Sequence, residues 1–184
     1  MENRIEKFSV AGFSLGGKLA LVTMESFPDR IEHLVLLAPD GVRTSVWYNL
    51  ATYPIFLRKY FKSLIHHPKR LSRIVRVART LKLADKGVLR FVENQMNTEE
   101  KRTRVYYSWI VFRHLIFDLQ SIATLITTYK IQFTLFVGKH DKVIPPTSMN
   151  RLLKRLKKPQ LYVLDAGHND LIKHASEALV KKLI

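Results

Sequence analysis

Gly12-Phe13-Ser14-Leu15-Gly16 separates a short, mostly apolar run, Lys7 to Ala11, from a segment of helical spacing, Lys18 to Ser26. This order of strand, tight turn and helix constrains the fold more than any other part of the chain. So short a connection brings the helix back against the strand before it, and small residues at Gly12, Gly16 and Gly17 permit the close approach. A serine at such a turn is held in a strained backbone conformation with its hydroxyl lifted above the sheet. The amide of Leu15, next to the helix N-terminus, is then placed to donate to a developing oxyanion.

Two other readings compete for these residues. One is a glycine-rich turn whose serine merely caps the helix. The other is a phosphate loop, because Gly12 through Lys18 satisfies G-x-x-x-x-G-K. A magnesium-binding loop of that kind needs Ser or Thr next, and Leu19 has no oxygen to offer.

Further along, Glu32 to Ala38 is a Leu- and Val-rich run ending at the turn signal Pro39-Asp40-Gly41. From about Thr44 the strand texture disappears, and the following residues carry helical spacing with many aromatic and basic side chains. Leu71, Ile74, Val75, Ala78 and Leu81 recur at intervals of three and four, which predicts an amphipathic helix. Strand texture returns at Gln132 to Val137, followed by the loop from Gly138 to Pro146 and a basic helix near Ser148 to Leu156. Gln160 to Leu164 is the last apolar strand, Asp165 to His168 a turn, and Asn169 to Ile184 a closing helix. Strands alternating with helices imply a parallel sheet, hence an α/β fold.

A serine hydroxyl is a poor nucleophile near neutral pH and needs a base within hydrogen-bond reach and a carboxylate to orient that base. Asp141 follows the strand ending near Val137, in a loop shaped by Gly138, Pro145 and Pro146. His168 follows the strand ending at Leu164, in the small-residue turn Asp-Ala-Gly-His. Asp40 also follows a strand and is the alternative acid. His33, His66, His67, His114, His140 and His174 lack a matching context and read as ordinary structure. No metal-ligand spacing such as H-E-x-x-H occurs, and no metal or cofactor is expected.

With these residues in hand, the chain resembles the α/β-hydrolase superfamily over Phe8 to Ala20, Leu135 to Pro145 and Tyr162 to Asn169, plus the strand around Val35. It resembles the serine-using branch, because the dehalogenases and epoxide hydrolases of that superfamily carry Asp where Ser14 stands. The resemblance implies a catalytic triad of Ser14, Asp141 and His168, an oxyanion contact from the Leu15 N–H, and hydrolysis of an ester-like acyl bond. It implies a core made of residues 1–43 and 129–184, with residues 44–128 inserted as a helical cap that usually covers the pocket in that family. It also implies several strands ahead of the serine turn, one of their loops supplying a second oxyanion N–H. Because the turn starts at Gly12, the chain reads as the C-terminal part of such a sheet, flanked by helices, with the strand at Phe8 on its edge.

Composition limits the remaining choices. The 184 residues and 47% hydrophobic content suffice for one ordinary domain, and the absence of cysteine excludes disulfides, thiolate metal sites and a cysteine nucleophile. No apolar stretch reaches the roughly 20 residues of a membrane-spanning helix, and the start of the chain has no signal-peptide pattern, so a cytoplasmic location is expected. A formal charge of +16 draws the chain toward anionic surfaces. A small-molecule ester-like or acyl substrate is expected and nucleic acid is not, since no nucleic-acid module occurs. Contact of the basic cap with an anionic membrane, or an inactive chain lacking its upstream strands, are the alternatives.

Overall fold

In the computed structural model, which describes residues 6–43 and 46–183, the four apolar runs form one parallel sheet in the order β1 (Phe8–Phe13), β2 (Ile31–Leu37), β3 (Gln132–Gly138), β4 (Gln160–Leu164). Every residue of β3 after Gln132 is buried, which is why that strand reads as a continuous apolar run instead of an alternation. Among the described residues β1 has a single neighbour, β2, in register Gly12 to Leu36 and Phe13 to Leu37. The expected start of the insertion at Thr44 and the expected helix end at Ile184 lie outside the described residues.

The chain divides into two units, residues 1–43 with 115–184, and residues 44–114. In the first, helix α1 (Leu15–Ser26) follows β1 directly. Its Leu21 and Met24 are fully buried against Leu34 and Leu36 of β2 and Leu135 of β3. A second cluster, Ala38, Ala166 and Leu171, packs with Phe13 and Leu37 under the closing helix, Leu171–Leu183. Because side chains alternate along a strand, these two clusters line the two faces of the sheet.

One helix falls elsewhere than the sequence pattern suggests. Leu119–Thr128, expected inside the insertion, belongs to the first unit, where Ile122, Ala123 and Ile126 join the cluster around Leu21. Asp118 caps it, accepting from the Gln120 and Ser121 N–H groups and the Ser121 hydroxyl, and these bonds hold its carboxyl below the ordinary 3.8. The carboxyl of Glu25 on α1 is raised, chiefly by partial loss of water and then by the Asp118 charge. The basic helix expected over Ser148 to Leu156 is shorter, a 3-10 turn Pro146–Met149 leading into Asn150–Leu153.

Among its described residues the second unit has helices and no strand. Its elements, numbered after α1, are α2 (Val46–Thr52), α3 (Ile55–Ser63), α4 (Pro68–Thr80), α5 (Lys86–Gln95) and α6 (Glu99–Phe112). Phe61, Leu64, Ile65, Met96 and Tyr106 form its core, with Trp109 packed against them. The buried Arg102 guanidinium donates to the carbonyls of Ile65 and Met96, satisfying backbone acceptors beside the ends of α3 and α5. The apolar stripe expected on α4 is split: Leu71, Val75 and Ala78 turn inward, while Ile74 and Leu81 are exposed.

Candidate functional site

At the C-terminal end of β1 the chain enters α1 through Ser14, whose φ of 51° and ψ of −120° fall where non-glycine residues rarely sit. Such a conformation costs on the order of 1–3 kcal/mol and persists only when its surroundings enforce it. Here Ser14 N–H donates to the Leu37 carbonyl at 3.0 Å, and the Ser14 carbonyl accepts from Gly17 N–H at 2.9 Å and Asp40 N–H at 2.8 Å. The end of β2 therefore clamps the serine backbone on both sides.

The glycines around Ser14 are not equivalent. A Cβ on Gly12 would lie 2.5 Å from the Gly16 carbonyl oxygen, and one on Gly17 would lie 2.4 Å from Pro39 Cβ. A Cβ on Gly16 would meet nothing within 4 Å, so the close approach expected of all three glycines is required at two. Gly17→Ala is expected to destabilise the fold by about 3 kcal/mol through overpacking. Gly16→Ala is expected to be neutral or stabilising by up to about 1 kcal/mol through helix propensity. Urea unfolding of the two variants checks the contrast, and equal losses would contradict it.

Three side chains from three separate loops meet above the sheet. His168 Nε2 lies 3.1 Å from Ser14 Oγ, and His168 Nδ1 lies 2.7 Å from Asp141 Oδ2. The His168 and Asp141 side chains are almost completely withdrawn from solvent. The other carboxylate oxygen, Oδ1, accepts from the N–H groups of Val143 and Ile144, both at 2.8 Å, so the carboxylate cannot turn away from the imidazole without giving up two bonds. Phe13, between the elbow glycine and serine, sets its ring 4.9 Å from the imidazole centroid. Leu15 is the first residue of α1, a position whose backbone N–H has no acceptor within a helix.

The histidine loop is fastened to the aspartate loop by backbone. Lys139 N–H donates to the Leu164 carbonyl at 2.8 Å and His140 N–H to the Ala166 carbonyl at 3.1 Å, while a Cβ on Gly138 would sit 2.5 Å from Ala166 O. The His140 ring meets Asp165 at 2.7 Å on the exposed side of the same junction, a pairing the sequence did not suggest.

Asp40, the alternative acid, is engaged elsewhere: its Oδ2 lies 3.5 Å from Lys18 Nζ and its Oδ1 accepts from Gly41 N–H. Lys18 is 2% exposed. The lysine of the G-x-x-x-x-G-K match is thus turned into the protein toward a carboxylate, not out toward a phosphate. Lys18→Met removes the charge that faces partly buried Asp40, and a loss of about 1–3 kcal/mol in urea unfolding is expected. A Lys18→Met variant as stable as the parent would contradict that pairing. Among the described residues no group of three or more His, Cys, Asp or Glu side chains is arranged to hold a metal.

A family model described as alpha/beta hydrolase fold matches residues 2–175. Over 60 residues the chain is 35% identical to a 1-acylglycerol-3-phosphate O-acyltransferase of Saccharomyces cerevisiae, a match covering 29% of this chain and 15% of that one. Its structure is similar to that of a 2-hydroxy-6-oxo-6-phenylhexa-2,4-dienoate hydrolase from Rhodococcus sp. strain RHA1, with a TM-score of 0.57 and 19% identity over 97% of this chain and 63% of that one. It is also similar to an esterase from Thermogutta terrifontis, with a TM-score of 0.55 and 16% identity over 97% of this chain and 63% of the other. At these identities the likeness is one of fold. The chain spans less than two thirds of the length of these relatives.

Proposed function

Because the chain belongs to the alpha/beta hydrolase fold family, we propose that it is a serine hydrolase acting on an ester-like acyl bond through Ser14, His168 and Asp141. The observation that carries this reading is the imidazole of His168, whose two ring nitrogens face a buried carboxylate at 2.7 Å and the elbow hydroxyl at 3.1 Å.

In the proposed reaction Asp141 accepts a hydrogen bond from His168 Nδ1–H, which leaves Nε2 with its lone pair toward Ser14. Nε2 takes the hydroxyl proton as Oγ attacks the carbonyl carbon, and the carbonyl electrons move onto oxygen. The Leu15 N–H donates to that oxyanion. Collapse expels the alcohol, which takes the proton from His168, and an acyl group remains on Ser14. Water, deprotonated by His168, then attacks the acyl-enzyme, the Oγ–acyl bond breaks as His168 returns the proton to Ser14 Oγ, and the acid leaves. Asp141 stabilises the imidazolium throughout. The proposed chemistry uses neither metal nor cofactor.

The yeast relative is named for acyl transfer to oxygen, and the same acyl-enzyme serves that outcome when an alcohol replaces water. A fluorophosphonate probe distinguishes this whole class from a binding protein, because only an activated serine is phosphonylated rapidly. Labelling confined to Ser14 in the folded chain is the expected result. A folded chain that is not labelled would overturn the proposal.

A further inference from the structure

From Gly41 to Ala84 the sequence holds ten Lys and Arg and no Asp or Glu. Much of this stretch forms α3 and α4 of the helical unit, and both helices leave apolar side chains in solvent beside those charges. On α4 the inward set is Leu71, Val75 and Ala78, and the neighbouring set, Ile74, Val77 and Leu81, is 40%, 48% and 61% exposed. At about 100° per residue the two sets together span roughly 160° of the helix, so the apolar arc is wider than the part the unit buries. Arg70 lies within the uncovered stripe and Arg73 borders it. On α3 the exposed face is Ile55, Phe56, Lys59 and Tyr60, with Ile55 at 62% and Phe56 at 71%.

The two stripes meet at one cation–aromatic contact. The Arg70 guanidinium sits 5.9 Å from the centroid of the Tyr60 ring, so the cationic end of the α4 stripe meets the aromatic end of the α3 stripe.

We propose that this combined face is a docking surface for an anionic lipid bilayer. A headgroup layer takes both kinds of side chain at once, with Lys and Arg at the phosphates and Ile, Val, Leu and Phe entering the acyl boundary. A nucleic acid would use the charges and stack on Tyr60, but it offers nothing to Ile74, Val77 and Leu81. A second copy of the chain would bring like charge against like, at +16 each. Among the described residues no helix is long and apolar enough to cross a membrane, so the contact is peripheral.

The test is co-sedimentation of the full chain with vesicles of phosphatidylcholine alone or with 30% phosphatidylserine. Binding only to the anionic vesicles, weakened at least tenfold between 0.1 and 0.5 M salt, is expected. Arg70→Gln with Arg73→Gln should weaken it by about 30-fold, near fivefold per charge. The chain has no cysteine, so a solvatochromic label can be attached uniquely at Val77→Cys or, on the opposite face of α4, at Ser72→Cys. The label at 77 should shift to the blue on anionic vesicles and be quenched by lipid nitroxides, and the label at 72 should not. Equal responses at both positions, equal binding to neutral vesicles, or tight binding to duplex DNA without vesicle binding would each overturn the proposal. Ser14→Ala should bind vesicles like the parent, so loss of hydrolase chemistry and loss of membrane docking are read separately.

Discussion

Ser14→Ala is expected to leave the fold intact while abolishing fluorophosphonate labelling and lowering ester hydrolysis by about 10⁴-fold or more. The substitution removes one hydroxyl group, which faces His168 Nε2, and keeps the Cβ. The strained backbone at φ 51° is held by Leu37, Gly17 and Asp40 through main-chain bonds that alanine retains. Stability should therefore change little while chemistry is lost. Hydrolysis of p-nitrophenyl acetate and butyrate by parent and variant, with thermal unfolding of both, checks the pair of expectations. A variant that hydrolyses within tenfold of the parent would remove Ser14 from the mechanism.

Asp141→Asn is the second large effect, and its direction follows from the Val143 and Ile144 N–H groups. These two donors require an acceptor where Oδ1 now sits. Asparagine supplies its carbonyl there and must then turn its NH₂ toward His168 Nδ1. That contact needs Nδ1 unprotonated, so the neutral ring carries its proton on Nε2 and can no longer accept one from Ser14. A fall of about 10⁴-fold in kcat, with little change in KM, is expected. Asp40→Asn provides the contrast. Its carboxylate faces Lys18 and Gly41 N–H, so it should keep hydrolysis within about threefold while losing some stability. An Asp40→Asn variant with the larger catalytic defect would exchange the two roles.

The sheet was legible because buried parallel strands concentrate apolar residues, as Phe133 to Gly138 do. The candidate site residues could be picked out because each follows such a strand and stands beside turn-forming small residues. The preference for Asp141 over Asp40 came from the family resemblance, since both meet that description. What separates them is tertiary: Lys18, from another part of the chain, occupies Asp40. The layer to which a helix belongs was equally hidden. Leu119–Thr128 reads in sequence as one more helical segment of the insertion, and only packing of Ile122 and Ile126 beside Leu21 assigns it to the sheet-bearing unit. On α4 the repeat named a helix correctly but not how much of its apolar arc would be covered, because amphipathicity does not state what lies opposite.

Ser14 and His168 are 154 residues apart in the chain, whereas His168 and Asp141 are 27 apart. A growing polypeptide therefore carries its proposed nucleophile long before it receives the proposed base. Contacts of such long separation close late, after the loops they span have been ordered. Under the proposed mechanism, until β4 has docked beside β3 and the Lys139 and His140 backbone bonds hold the histidine loop, the serine is an ordinary alcohol. The proposed mechanism thus defers reactivity to late folding: a half-folded chain carries the hydroxyl without the proposed base, and the onset of probe labelling during refolding would time that step.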